Sequence, residues 1–546
     1  MAQDQARGGR VALPAVLRRL PVASVSTRRP PLPLLAAVAT IGVLAILPLA
    51  YLVIRALGAD ERALELIARP RTLELLTSSV ALAAGVGLGA TVLGVPLAWL
   101  TTRTDLPGRR AWTVLTVAPL AVPSYVLAFA LIAGLGPRGV LSGTLQSLGV
   151  EGLPSIYGLP GALLVLTLAT YPYVLLTTRA TLMRADPALE EAARSLGDGF
   201  GTAFRRVTLP LLAPAIGTGA LLAALYAISD FGAVSILRFD SFARAIHVQY
   251  RSSFDRSGAA ALALLLVAAA FALVWAEARV RRRAALRVPH GARRAARVVP
   301  LGRWRWAALA FCGTVTGLSL VLPAGTIAYW LVRGLAQGEP LRLVADPIGD
   351  SLVAAGAAAL VAGILALPVA FLVVRYPGRL ASMAERLLYG AYAVPGIALA
   401  LALVFFSLNV VPFLYQTLTL LVLAYAVRFL PQAAGTTRSA LMLIGPHVPE
   451  AARSLGRSPW EVLRTITLPL LRPGLLAGAA LVFLSTIKEL PLTLLVAPTG
   501  FGTLATQVWG AANGGFFARA AAPAAVLMLI SLASVALLLR DGEHSP

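Results

Sequence analysis

The sequence predicts an all-α integral membrane protein of about twelve transmembrane helices, arranged as two parallel six-helix repeats. Three observations lead there. The 546 residues are 58% hydrophobic and 13% charged, with a mean hydropathy of +0.80, and no water-soluble globule of this length has enough interior to hide so much apolar surface. Charge-free windows of roughly 20 residues, the length that crosses a hydrocarbon core at about 1.5 Å per residue, recur along the chain. Two polar stretches also repeat: Glu-Ala-Ala-Arg-Ser-Leu-Gly with a later Val-Thr-Leu-Pro-Leu-Leu within 191–212, and Glu-Ala-Ala-Arg-Ser-Leu-Gly with a later Ile-Thr-Leu-Pro-Leu-Leu within 450–471, an offset of 259 residues.

Taken in order, the clearest windows are 34–54, 75–102, 111–137, 152–178, 207–229, 257–276, 306–332, 351–374 and 520–539. Window 387–427 is 41 residues long, about twice what one helix needs, and Asn409 to Pro412 is a turn signal near its middle, so it is read as two spans. The remaining span falls at about 470–494 and carries Lys488 and Glu489. Arg18, Arg19, Arg28 and Arg29 precede the first window as they would in a signal peptide, but the apolar run exceeds a usual signal core and many spans follow. The first helix is therefore expected to be retained.

The domain plan is a basic N-terminal segment 1–33, a first six-span domain 34–276, an Arg-rich linker 277–305, a second six-span domain 306–540 and a tail 541–546. Assigning loops alternately to two sides puts 34 of the 47 Lys and Arg on the side of the N-terminus, whereas the 24 acids divide evenly. The positive-inside rule then places both termini in the cytoplasm. The net charge of +23 thus reports topology and does not call for nucleic acid; the linker, Arg279 to Arg305, is a solvated connector that can lie on anionic lipid.

Several chemistries lack their residues. Cys312 is the only cysteine, which excludes disulfides within the chain and thiolate metal sites. His247, His290, His447 and His544 are scattered singly, with no ligand spacing, so no high-affinity metal site and no catalytic residue is expected. Lys488 is the only lysine and follows Ile487, so a Gly-Lys-Ser/Thr phosphate loop is absent and any ATP must be used by a partner subunit. No cofactor is expected in this chain.

The repeat extends past the motif. Pro96 and Pro368, Arg103 and Arg375, and Val122-Pro123 and Val394-Pro395 pair at an offset of 272, so the second half is shorter by thirteen residues, and segment 137–158 is the place to find them. An even number of spans per half keeps both halves in the same orientation, with a pathway expected at their interface.

Within the motif, Asp186-Pro187 supplies a carboxylate cap and a first-turn proline, and Glu190 and Glu191 suit the positive end of a helix. Small Ala192 and Ala193 permit close approach, and Gly197 can end the helix in the left-handed region. In the second copy Ser458-Pro459-Trp460-Glu461 spells a capping box. A short helix, a glycine bend and a second helix are predicted, entering the next span through Leu209-Pro210 or Leu468-Pro469 at a fixed angle.

At these residues the chain resembles the permease subunits of binding-protein-dependent ABC importers, whose signature is Glu-Ala-Ala, three residues, Gly, nine residues, Ile-x-Leu-Pro. The second copy matches through Glu450, Ala451, Ala452, Gly456, Ile466, Leu468 and Pro469; the first has Val207 for Ile. The resemblance implies a type I importer permease fold and a coupling role for Glu191, Ala192, Ala193, Gly197, Leu209 and Pro210 and for their second-half equivalents. Each would dock one of two ATPase subunits, with an extracytoplasmic solute-binding protein delivering the substrate. Lys-Glu-Leu-Pro-Leu-Thr-Leu-Leu from 488, with Thr-Leu-Ala and Trp509 beyond it, and Asp-Phe-Gly-Ala-Val-Ser-Ile-Leu at 230–237 are similar to fused ferric-iron permeases, so iron is the implied substrate. Thiamine, phosphonate and polyamine permeases share the architecture, and an ion-coupled secondary carrier is the rival class.

Asp230 and Glu489 are equivalent by the 259 offset, about 20 residues beyond the Leu-Pro step, and ionisable groups at such depth usually face a pathway or a partner. Asp230, Lys488 and Glu489 are therefore candidates for the translocation pathway, joined less strongly by Gln249 and Gln507. The competing role is a structural salt bridge, such as Lys488 with Asp230 across the pseudo-twofold.

Overall fold

The computed structural model describes residues 29–57, 61–137, 139–140, 155–186, 188–251, 256–285, 298–339 and 342–543. Most of the basic N-terminal segment, Pro187, the middle of the linker and much of segment 137–158 lie outside the described residues.

Among the described residues the regular elements are helices, with one isolated β-bridge. The first half comprises α1 (Leu32–Leu57), α2 (Pro70–Arg103), α3 (Arg109–Leu115), α4 (Ser124–Leu135), α5 (Leu159–Arg184), the motif helix α6 (Ala188–Ser195), α7 (Leu209–Ser229), the short α8 (Gly232–Ile236), α9 (Phe242–Arg251) and α10 (Arg256–Ala285). The second half repeats the plan as α11 (Arg305–Thr316) with α12 (Leu322–Ala336), then α13 (Arg342–Arg375), α14 (Arg379–Ala393), α15 (Gly396–Val410), α16 (Leu418–Ile444), the motif helix α17 (His447–Ser454), α18 (Leu468–Ile487), α19 (Pro491–Val496), α20 (Leu504–Asn513) and α21 (Phe517–Glu543).

Nine of the described helices are long and apolar enough to cross a membrane unbroken, and two bent helix pairs bring the number to eleven if each is one span. Here the structure corrects the sequence reading. Window 111–137 and the first part of 387–427 are not straight: they turn by 98° and 103° at Val122-Pro123 and Val394-Pro395. The physical reason is the proline, which pushes the residue before it into the extended region; Val122 has ψ 124° and Val394 ψ 129°. The turn near Asn409 does divide that window, since α15 stops at Val410 and α16 starts at Leu418. The span expected at 470–494 likewise ends early, at Ile487, so Lys488 and Glu489 occupy a break between α18 and α19. At the other end of the first half, α10 runs on to Ala285, and residues 277–285 lengthen that span.

Prolines do not all break helices. At Leu209-Pro210 and Leu468-Pro469 the chain widens into π turns, Phe204–Thr208 and Leu463–Thr467, in which the amides of Leu209 and Leu468 donate to the carbonyls five residues back, of Phe204 and Leu463. A proline removes one amide, and the extra residue in the turn absorbs that loss. The helix predicted after the motif glycine is therefore the start of the next span, and the two form continuous rods, Gly201–Ser229 and Pro459–Ile487.

The halves exchange their first helices. Tyr51 of α1 packs edge-on against Phe406 of α15, with ring centroids 6.2 Å apart, while the indole N–H of Trp330 in α12 donates to the carbonyl of Ala133 in α4 at 3.2 Å. Within each half, crossings depend on small residues, because in lipid close backbone approach replaces the hydrophobic drive. Gly219 and Gly478, equivalent by 259, show this directly. A methyl group on Gly219 would lie 2.6 Å from Thr177 Oγ1 and 2.6 Å from Val174 Cα; on Gly478 it would lie 2.4 Å from Thr436 Oγ1 and 3.0 Å from Ala433 Cα.

Trp330→Ala removes the cross-half hydrogen bond and the edge-on packing against Phe517, 5.4 Å between centroids. It should cost roughly 2 kcal/mol, below the range for a fully buried aromatic. Trp306→Ala, at a side chain 67% exposed, should change little. Thermal midpoints of the two variants in detergent check the difference.

Candidate functional site

Both motif copies fold alike at one end of the bundle. In the first, the Asp186 carboxylate accepts from the Ala188 amide at 3.0 Å, opening α6. Both helices close in the same left-handed glycine cap: Gly197 has φ +98° and Gly456 φ +85°. The amide of Gly197 donates to Arg194 O and that of Asp198 to Ala193 O, and Gly456 and Arg457 repeat this on Arg453 O and Ala452 O. This pairing satisfies helix-end carbonyls that would otherwise be orphaned. The capping box forms as its spelling indicated, with the Glu461 amide on Ser458 Oγ at 3.3 Å and the Ser458 amide on Glu461 Oε2 at 2.9 Å.

Arg103 and Arg375, paired by the 272 offset, have matched tasks. Arg103 donates to Leu182 O at 2.9 Å and Arg375 to Gly445 O at 2.7 Å, so each holds the end of the helix that leads into its motif. Glu191, Ala192, Glu450 and Ala451 are exposed, Ala193 is half-buried and Ala452 is buried. Beside them stand residues that the sequence reading missed: Leu196 and Leu455, equivalent by 259, are 89% and 85% exposed at the crest of each glycine cap. Their signal was identity in both copies, but a leucine beside a glycine cap reads from sequence as a packing residue.

Above the motif rods lie the helix breaks. Asp230 follows the last residue of α7, and its Oδ1 accepts from the amides of Ala233 at 2.9 Å and Val234 at 3.3 Å, capping α8. Its other oxygen takes the Ser124 hydroxyl, at the Val122-Pro123 bend. The second half solves the same problem with different residues. The position of Ser124 is held by Gly396, and the longer Glu489 reaches into the vacated space: a methyl on Gly396 would lie 2.8 Å from Glu489 Oε1. Arg428, where the first half has Ala169, faces Glu489 Oε2 at 3.6 Å and donates to Val394 O at 2.9 Å. Each carboxylate thus joins its own break to its own bend.

The structure corrects the pairing suggested for Lys488. Among the described residues it has no ion pair with Asp230; its Nζ donates to Ala121 O at 3.5 Å, and Tyr125 donates to its carbonyl at 3.4 Å. The cause is geometric, because Asp230 is already filled by Ser124 and two amides. Lys488 instead joins the second half's break to the first half's bend. Nearby, Phe231, His247 and Trp509 form an aromatic cluster across the halves, with the Trp509 N–H on Ser235 Oγ at 3.2 Å.

Between the halves, a cavity of about 1170 Å³ runs from near the motif end up to the breaks, where Ser229, Val394 and Arg428 line it. Asp230 and Gln249 are not among its lining residues, nor are Lys488 and Glu489, which sit just beyond that level. Gln507 lines a separate pocket with Glu339 and Arg519 toward the opposite end. The arrangement is two exposed motif loops at one end and a chamber between the halves.

The model of the family described as binding-protein-dependent transport system inner membrane component matches the chain twice, over 90–286 and 357–541. The chain is similar to Fe(3+)-transport system permease protein FbpB 2 of Haemophilus influenzae, 34% identical over 92% of this chain and 97% of the relative. It is similar to ferric transport system permease protein FbpB of Actinobacillus pleuropneumoniae, 22% identical over 87% of this chain and 72% of the relative. A shorter relative, molybdenum transport system permease protein ModB of Escherichia coli, is 30% identical over 32% of this chain and 79% of its own length.

The two solutions at the breaks can be interchanged as a test. Gly396→Ser forces a side chain into Glu489 and should destabilise the protein by about 1–3 kcal/mol, as overpacking does. Adding Glu489→Asp recreates the first half's Ser-Asp pair and should recover at least half of the lost thermal stability in detergent; a double variant no better than the single would contradict the equivalence.

Proposed function

The chain belongs to the family of binding-protein-dependent transport system inner membrane components, and from that premise we propose that it is the pathway-forming subunit of an ATP-driven ferric-iron importer. The single observation that supports it best is the pair of matched, exposed motif loops on rods that rise to the top of one cavity between the halves. A secondary carrier has no need of two such loops.

In this reading one ATPase subunit docks at each motif, two in all, through the crest Leu196 or Leu455 and the neighbouring Glu191 or Glu450. Those subunits use the ATP; this chain binds none and holds no cofactor. Both termini and both motif loops lie in the cytoplasm, and an extracytoplasmic binding protein delivers the solute at the opposite end. Closure of the ATPases draws the two motif helices together. Because the π turns keep each rod continuous, that motion reaches Asp230 and Glu489 and reshapes the cavity. Lys488, which ties the two halves together, sits where the pathway must part. The iron assignment is supported by the name of the full-length relative from Haemophilus influenzae and by the Lys-Glu-Leu-Pro run at 488.

Glu191→Lys combined with Glu450→Lys should reduce co-purification of the ATPase by roughly tenfold or more, a loss of at least about 1.4 kcal/mol, while membrane insertion stays normal. Leu196→Asp with Leu455→Asp should do the same if the crests are buried on docking. Normal ATPase capture by both double variants would sink the docking assignment.

Topology has a direct check. Cys312 is fully buried and gives little background, so Ser454→Cys should label only with reagents that reach the cytoplasm and Thr499→Cys only from outside. Labelling of both from one side would overturn the orientation.

A further inference from the structure

We propose that the ion crosses this protein as an anion-coordinated complex, with oxyanion ligands still bound, and not as bare Fe³⁺; this rests on the iron reading above. The cavity between the halves carries it. Four arginines line it, Arg281, Arg386, Arg428 and Arg438, against two glutamates, Glu277 and Glu385. Both glutamates are already engaged: Glu277 pairs with Arg281 at 3.5 Å, and Glu385 with Arg438. Just beyond the lining, Glu489 is paired with Arg428. Arg386, exposed to the chamber, has no ion pair among the described residues.

With carboxylates set against three of the four arginines, the lining and Glu489 together keep one uncompensated positive charge, on Arg386, and a trivalent cation would be repelled by it three times as strongly as a monovalent one. It would also find no ligand set. Ferric iron is a hard cation that prefers oxygen donors, and among the described residues no three His, Cys, Asp or Glu side chains come together to hold a metal. Asp230, the remaining carboxylate near the top of the cavity, has its oxygens occupied by Ser124 and the Ala233 and Val234 amides.

What the chamber does offer is donors. Guanidinium groups match carboxylate and phosphate geometry, and Gln432 is fixed by its own bonds, accepting from Ser485 at 2.9 Å and donating to Tyr392 at 3.2 Å. Ferric iron whose charge is reversed by citrate or phosphate oxygens would be attracted by Arg386, one whose charge is cancelled would escape the repulsion, and in either case the coordination sphere would travel with the ion. No bond to the protein needs to form.

The test uses the complete complex of this chain, its ATPase and its binding protein in proteoliposomes. Radioactive iron is loaded on the binding protein together with carbon-labelled citrate in one arm and phosphorus-labelled inorganic phosphate in another, and both isotopes are counted in the lumen after ATP-driven uptake. The expected result is entry of iron with at least one of the two anions in a ratio near one to one, and a fall of roughly tenfold in that uptake for Arg386→Glu. Iron accumulating with neither labelled anion would overturn the inference and leave the iron reading standing. No iron uptake in either arm by an assembled complex that hydrolyses ATP would overturn the iron reading itself. The isotope ratio is read on the unaltered protein, so it does not depend on the variant folding.

Discussion

In a membrane, backbone that leaves a helix has to find hydrogen-bond partners within the protein, because lipid supplies none. This chain leaves the helix at equivalent points of both halves: in the first a carboxylate accepts from the freed amides, and in the second Arg428 donates to Val394 O with Glu489 beside it as a counter-charge. Asp230 caps α8 and receives Ser124; Glu489 stands against Gly396 and Arg428. The prolines set the Val-Pro bends, and these contacts join each bend to its break at the top of the cavity. Removing a partner from such a group exposes a desolvation cost of about 1–3 kcal/mol, more when it is charged, which is why the contacts act as joints and hold their geometry.

The two joints are not copies. One is compact, built from a serine and an aspartate, whereas the other combines glycine, glutamate and an arginine that also lines the cavity. The two similar halves thus give the cavity an asymmetric top, with the Arg428–Glu489 pair on one side only. The exchange of first helices makes the asymmetry a property of the whole chain, since α1 and α12 each pack against the other half. Two six-span units joined by a flexible tether would have left the halves free to separate. Here each half is held by a helix of the other.

Much of this was legible in the sequence, for physical reasons that can be named. The spans showed because hydrocarbon excludes charge, and the caps at Asp186 and Ser458 showed because helix ends demand specific side chains at fixed offsets. Val122-Pro123 and Val394-Pro395 were visible as paired landmarks, but not as bends: an apolar window has the same composition whether its helix is straight or turned. The contrast with Pro210 and Pro469 makes the point, since those prolines are absorbed by π turns and leave the rod intact. Arg428 was hidden as a lone charge ending an apolar window, and its meaning appears only when Glu489 and Gly396 stand beside it. Leu196 and Leu455 needed coordinates because exposure is not written in a residue's identity.

The central claim is that motion imposed on the motif loops travels along two continuous rods to the joints. The distance between spin labels placed at Arg205 and Arg464, exposed equivalents at the base of the rods, tests it in the complete complex. Electron-electron resonance should show one distance without nucleotide and a distinctly shorter one when ATP is trapped on the ATPases. An unchanged distance in a complex shown to import its solute would contradict the account, because transport would then proceed without the rods approaching each other.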